Sequence, residues 1–228
     1  MTAAAFPSWL VILAIISLLL AILCVAFIVI DETRRPQRRW VMNLVWPLTT
    51  LFGGPLWLAF YARWGRAGAP PAPAREPVAR GLRVNCCGVG VVLGNFAGET
   101  LALVFPQIAP AFGFGTLFKE PIFAVWAFDL VLALAFGLAI QAKATPRRTI
   151  SEIVRSDAIL IVVWQLTVFA AMGGAQFFWL RPAFGGLTGP GDFVFWFVLQ
   201  IAMLCGFAAA FFVGGLFSPS NEDEKMRA

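Results

Sequence analysis

Residues 9–30 read WLVILAIISLLLAILCVAFIVI, an apolar run without one charged side chain. A hydrocarbon core about 30 Å thick is crossed by a helix of roughly 20 apolar residues, and a helix that is hydrophobic all round has no place on a water-exposed surface. The run lacks a positively charged start and is too long for a signal-peptide core, so it predicts a retained membrane helix. Working outward from it, five further runs of this length are bounded by charge or proline: Trp40 to Tyr61, Val84 to Phe105, Pro121 to Gln141, Ala158 to Phe178 and Phe193 to Phe217. Together they predict an all-α integral membrane bundle of six transmembrane helices, a single membrane domain over residues 1–228.

The composition agrees. Apolar residues make up 60% of the chain and charged ones 13%, with a mean hydropathy of +0.83, against about 45–50% and about 25% in an average soluble domain. The Lys and Arg residues sit in short runs between the apolar stretches, so the net charge of +5 reads as membrane topology. No basic face with interleaved aromatics is left over, which excludes a nucleic-acid partner. Histidine is absent, and with it a Ser-His-Asp triad, a His-ligated haem and a His-rich metal centre. The four cysteines, Cys24, Cys86, Cys87 and Cys205, lie in or beside apolar segments and form no extracellular disulfide framework.

The second run contains Pro47 and then Gly53-Gly54-Pro55. Two readings compete, a kinked ordinary helix, which is favoured, and a broken helix of the kind that lines transporter sites. Residues 65–83, with Pro70-Pro71-Ala72-Pro73, read as a semi-extended linker, and residues 218–228 as a polar tail. With the amino terminus inside, eleven Lys and Arg fall on the inner side and six on the outer. The positive-inside rule then favours both termini in the cytoplasm, against the opposing cluster Arg34, Arg35, Arg38 and Arg39.

Two helices carry grooves of small residues at i, i+4 spacing: Gly90, Gly94, Gly98 and Ala102, and Ala202, Gly206, Ala210 and Gly214. Such grooves let backbones approach closely, within the bundle or against a foreign helix. Asn95 and Glu99 share a face beside the first groove, and Asp129 sits inside the fourth run. Carboxylates are costly in lipid and face the bundle interior or a wet cavity. Glu99, Asp129 and Gln200 are expected at similar depths, with Gln165 nearer mid-membrane. This polar set is either a site for a proton or cation, or hydrogen-bonded glue with one carboxyl protonated. No nucleophile with a base, phosphate loop or nucleotide fingerprint is present, so no catalytic residue is assigned and no enzyme activity is expected.

The stretch Cys86-Cys87-Gly88-Val89-Gly90-Val91-Val92-Leu93-Gly94-Asn95-Phe96-Ala97-Gly98-Glu99 resembles the signature His-Cys-x-x-Gly-Cys-x-Leu-Gly-Asp-x-x-x-Glu of the bacterial membrane family called domain of unknown function 4396. Further matches run in order through Trp46-Pro47 and Gly54-Pro55, Asp129 with Gly137 and Gln141, Asp157 with Trp164-Gln165, and Phe195-Trp196-Phe197 with Gln200 to Met203. The family's His, two Cys and Asp look like a metal constellation. Here those positions hold Cys86, Cys87, Val91 and Asn95, so the resemblance implies that the fold persists without the original site. Cys86 and Cys87 remain weak candidates for a soft ion; no tightly bound transition metal and no cofactor is expected. The favoured expectation is a non-catalytic accessory subunit in the bacterial inner membrane, packed against lipid and other membrane subunits, and the alternative is a copper-like metal or cation handling protein.

Overall fold

The computed structural model describes residues 6–37, 39–68, 76–105, 121–145 and 148–216. It is all-helical over these residues, with six helices long and apolar enough to cross a membrane. They are α1 (Ser8–Arg34), α2 (Met42–Phe60, continued by a π-helix Tyr61–Gly65), α3 (Glu76–Val104), α4 (Pro121–Ala144), α5 (Ile150–Gly173) and α6 (Phe193–Leu216). A π-helix Gly174–Leu180 and a final turn Arg181–Phe184 extend α5. The 70–73 proline run, residues 106–120 and the expected tail lie outside the described residues.

Several expected boundaries move, each for a local reason. The linker expected over 65–83 is helical from Glu76, with Pro77 in the first turn where its missing N–H costs nothing. The fifth helix begins at Ile150 rather than Ala158 because Thr149 and Glu152 form a capping box: Glu152 N donates to Thr149 Oγ1 at 3.3 Å and Thr149 N to Glu152 Oε2 at 2.8 Å. Arg155 and Asp157, ahead of the expected start at Ala158, are therefore helical. Similarly, α1 runs on to Arg34 and α4 to Ala144.

The largest difference is in α2. Gly54 adopts φ +50° and ψ −131°, a conformation closed to side chains with a Cβ, and the helix breaks there. The second arm then folds back along the first. Trp46 packs edge-on against Phe60 and Tyr61, with ring centroids 5.4 and 5.5 Å apart, whereas 15 residues of unbroken helix would separate them by about 22 Å. Gly65 is a glycine because the Trp46 indole occupies the space of a Cβ. The hairpin is pinned to the end of α1 by Asp31, which accepts from Tyr61 Oη at 2.9 Å and from Arg66 Nε and Nη2 at 2.8 and 2.5 Å. Of the two sequence readings, this is a break in the helix and not a bend of it.

The break frees backbone groups, and the bundle meets them. Pro55 has no N–H to offer the Leu51 carbonyl one turn back; Gln200 of α6 donates its Nε2 instead, at 2.7 Å. Ser17 of α1 in turn donates to Gln200 Oε1 at 2.8 Å. Gln200→Leu leaves a carbonyl and a hydroxyl without this partner, and the expected loss is about 1–3 kcal/mol of stability. A thermal melt in detergent checks it, with Gln200→Glu as the isosteric comparison.

Both glycine grooves are filled from within. α3 and α4 form the most extensive helix pair. A Cβ on Gly94 would lie 2.6 Å from Ala133 N and 2.8 Å from the Asp129 carbonyl oxygen, and one on Gly90 would lie 2.5 Å from the Ala133 carbonyl oxygen. In the second groove Gly206 receives the Trp164 ring from α5, which Gly88 of α3 contacts as well, and Gly214 sits against Leu160 and the Arg80 stem. Trp164 is fully buried between them.

Candidate functional site

Positions 83, 87, 91, 95 and 99 of α3 follow each other at i+4, the spacing of one surface ridge of a helix. Four of the five are polar or ionisable: Arg83, Cys87, Asn95 and Glu99. The ridge runs about 24 Å along the helix axis, and each polar member faces a polar group on α4 or α5.

At the Glu76 end, Arg83 donates from Nε and Nη2 to Asp157 Oδ1 of α5 at 2.9 and 2.6 Å. Arg148 Nη1 donates to the other oxygen at 2.8 Å, so one fully buried carboxylate holds two guanidinium groups. One turn on, Gln141 of α4 donates to the Cys87 sulfur at 2.9 Å. Val91 interrupts the ridge, and its carbonyl accepts from Asn95 Nδ2 at 2.8 Å. Asn95 and Gln165 of α5 then exchange hydrogen bonds at 2.9 and 3.2 Å, which satisfies both amides in the bundle core.

At the Val104 end the pattern changes. Asp129 of α4 is 0% exposed, and neither of its carboxylate oxygens has a hydrogen-bond partner among the described residues. It lies against Gly98, where a Cβ would overlap its Oδ1 atom. Its charged neighbour is Glu99, itself buried. At the other end of the ridge Asp157 is tied to two cations, whereas among the described residues no cation is paired with Asp129 or Glu99. An unpaired carboxylate in such a place is costly.

The sequence-predicted polar residues thus divide. Asn95 meets Gln165, a pairing the depths did not indicate, and Glu99 is the acidic neighbour of Asp129. Gln200 is engaged elsewhere, bridging α1 and the α2 hairpin. The two thiols are also separated. Cys86 packs with Val41, Val45 and Met42, its sulfur 3.9 Å from Met42 Sδ, while Cys87 faces Gln141 and the main core. Adjacent residues on a helix point about 100° apart, so the two do not converge as a chelating pair. Among the described residues no three of Cys, Asp and Glu come close enough to hold a metal ion.

A family model described as Domain of unknown function (DUF4396) matches residues 81–214. The chain belongs to that family. The matched region of this family member takes in all of the polar ridge, both grooves and the carboxylate pair. No curated protein and no solved structure matches the chain.

The ridge residue Arg83 and the partners Gln141, Arg148 and Asp157 are site residues not singled out from the sequence. Gln141 and Asp157 stood among the family-like matches without a role. The i+4 register of Arg83, Cys87, Asn95 and Glu99 was readable from spacing alone, but the partners on α4 and α5 were not.

Proposed function

We propose that this protein handles protons within the membrane, with Asp129 and Glu99 as the exchanging groups. The observation that carries the reading is Asp129: a carboxyl group fully buried at membrane depth, with no hydrogen-bond partner at either oxygen among the described residues, and beside a second carboxyl. Two close carboxylates resist ionising together, so the pair naturally shares a proton. A metal cation would need more donors than this pair supplies. The polar ridge from Glu99 to Arg83 offers hydrogen-bonding groups through most of the bundle depth, interrupted at Val91. The reading needs no catalytic step and no cofactor.

An accessory role beside other membrane subunits is the second reading. Of the features that favour it in the sequence, the pair of glycine grooves is used inside the bundle, which leaves the lipid-facing aromatic side chains and the positive loops as its docking surface.

Proton handling is tested with purified protein in lipid vesicles containing a trapped pH indicator, under a potassium-diffusion potential. The expected result is potential-driven acidification above that of empty vesicles, abolished in Asp129→Asn and reduced in Glu99→Gln. Asp129→Asn keeps the shape and loses no hydrogen bond formed among the described residues, so its melting temperature is expected to stay at or above the parent's. Undiminished flux in Asp129→Asn, or no flux in the parent, overturns the proposal.

A further inference from the structure

We infer that Met42–Gly65 is a re-entrant hairpin which enters and leaves the membrane through one face, so that the chain crosses the bilayer five times and the Ser8 end of α1 lies on the external side. The helix is long and apolar enough to cross, by length and composition. Its path is another matter. Gly54 divides it into arms of about 18 Å and about 16 Å, each well short of the roughly 30 Å hydrocarbon core. The arms lie side by side, with Trp46 against Phe60 and Tyr61. Both outer ends meet Gln37, just past the end of α1: its side-chain Nε2 donates to the Gly65 carbonyl at 2.7 Å and its backbone N–H donates to Asn43 Oδ1 at 3.0 Å. Asp31 holds Arg66.

The remaining contacts place every other helix end. Arg39 donates to the Ala144 carbonyl, which brings the end of α4 to the face where α1 ends. Arg83 and Arg148 share Asp157, which adds the starts of α3 and α5. Arg80 lies 5.0 Å from the Phe211 ring, which adds the end of α6. At the opposite face Phe6, just before α1, packs 5.8 Å from Phe184, at the far end of α5. The helices α1, α3, α4, α5 and α6 therefore connect the two faces and α2 does not.

Charge then orients the molecule. On the face shared by both ends of α2 lie Arg34, Arg35 and Arg39, Arg63 and Arg66, Arg80 and Arg83, and Lys143, Arg148 and Arg155; among the described residues the other face has Arg181 alone. The positive-inside rule makes the first face cytoplasmic. The Arg34–Arg39 cluster, which opposed the orientation drawn from six crossings, agrees with this one. In this topology the start of α1 and the end of α6 lie on opposite sides, whereas six crossings would put both in the cytoplasm. The broken backbone at Gly54 is tolerated at depth because it is buried in protein, with the Leu51 carbonyl met by Gln200. Joined to the proton reading, this topology sets Asp129 and Glu99 toward the external face and the Arg83–Asp157–Arg148 cluster toward the cytoplasm; the topology itself does not depend on that reading.

The test uses the unaltered chain in sealed vesicles of defined orientation, digested with trypsin and read by mass spectrometry. In inside-out vesicles, cleavage is expected both in the Arg34–Arg39 segment and at Arg63 or Arg66; in right-side-out vesicles neither is cut. As a second measurement, Arg35→Cys and Ala67→Cys, each in a Cys205→Ala background, are expected to react with a membrane-impermeant maleimide from the same side. Reaction or cleavage of the two segments from opposite sides shows a crossing α2 and overturns the inference, whatever the vesicle flux experiment gives.

Discussion

Gly94→Leu is expected to leave no folded protein: the variant should elute as aggregate after detergent extraction and show no cooperative melt. Overpacking a core commonly costs about 1–3 kcal/mol, because side chains shift to make room. Here there is no side chain to shift. The atoms that a Cβ would meet at 2.6–2.8 Å are Ala133 N, Ala133 Cα and the Asp129 carbonyl, all backbone of α4. To admit four more carbons, α3 and α4 must separate along their shared length, and the neighbouring contacts at Gly90 and Gly98 are lost with them. Gly174→Ala is the matched control, since nothing lies within 4 Å of a Cβ there. A Gly94→Leu protein that is monodisperse and melts like its parent would mean that α3 and α4 are not in this contact.

Asp157→Ala carries the second large effect, an expected loss of about 3 kcal/mol. Removing one partner of a buried ion pair typically costs 3–5 kcal/mol because the other charge is left uncompensated. Two guanidinium groups depend on Asp157, which argues for the upper end; their side chains are 35% and 30% exposed and can turn to water, which argues for the lower. Asp157→Asn retains the packing and some hydrogen bonding and is expected to lose less. Thermal or denaturant melts of the three proteins check the order. The parent's stability should also resist moderate salt better than an exposed pair would, because the shared carboxylate is fully buried.

How much of this was legible beforehand differs from residue to residue. The existence of each apolar helix was, because about 20 apolar residues in a row have few other solutions. The start of α5 was written in Thr149 and Glu152, but an apolar run does not include a polar first turn, so the expected start at Ala158 falls beyond Arg155 and Asp157. Gly54-Pro55 announced an irregularity without its size. Pro55 removes a hydrogen bond in either a bend or a break, and only the approach of Trp46 to Tyr61 shows which occurred. The burial of Glu99 and Asp129 followed from the cost of charge in lipid, and their comparable depths from counting turns. That Asp129 lacks a hydrogen-bond partner among the described residues did not follow, since partners come from helices remote in sequence.

The sequence by itself determined the solvent of this protein, the number of apolar helices, the close approach made possible by glycine at every fourth residue of α3, and the polar ridge beside it. These are properties of single segments, fixed by local composition and by the 3.6-residue turn. Only the tertiary structure decided that α4 fills the groove, that Asp157 gathers Arg83 and Arg148, and that α2 turns back at Gly54. Each of these depends on which helix comes to lie beside which, and side-chain packing between distant segments settles that. The charge pattern shows the difference most clearly: the same arginines point to opposite orientations according to whether α2 crosses, so their reading had to wait for the fold.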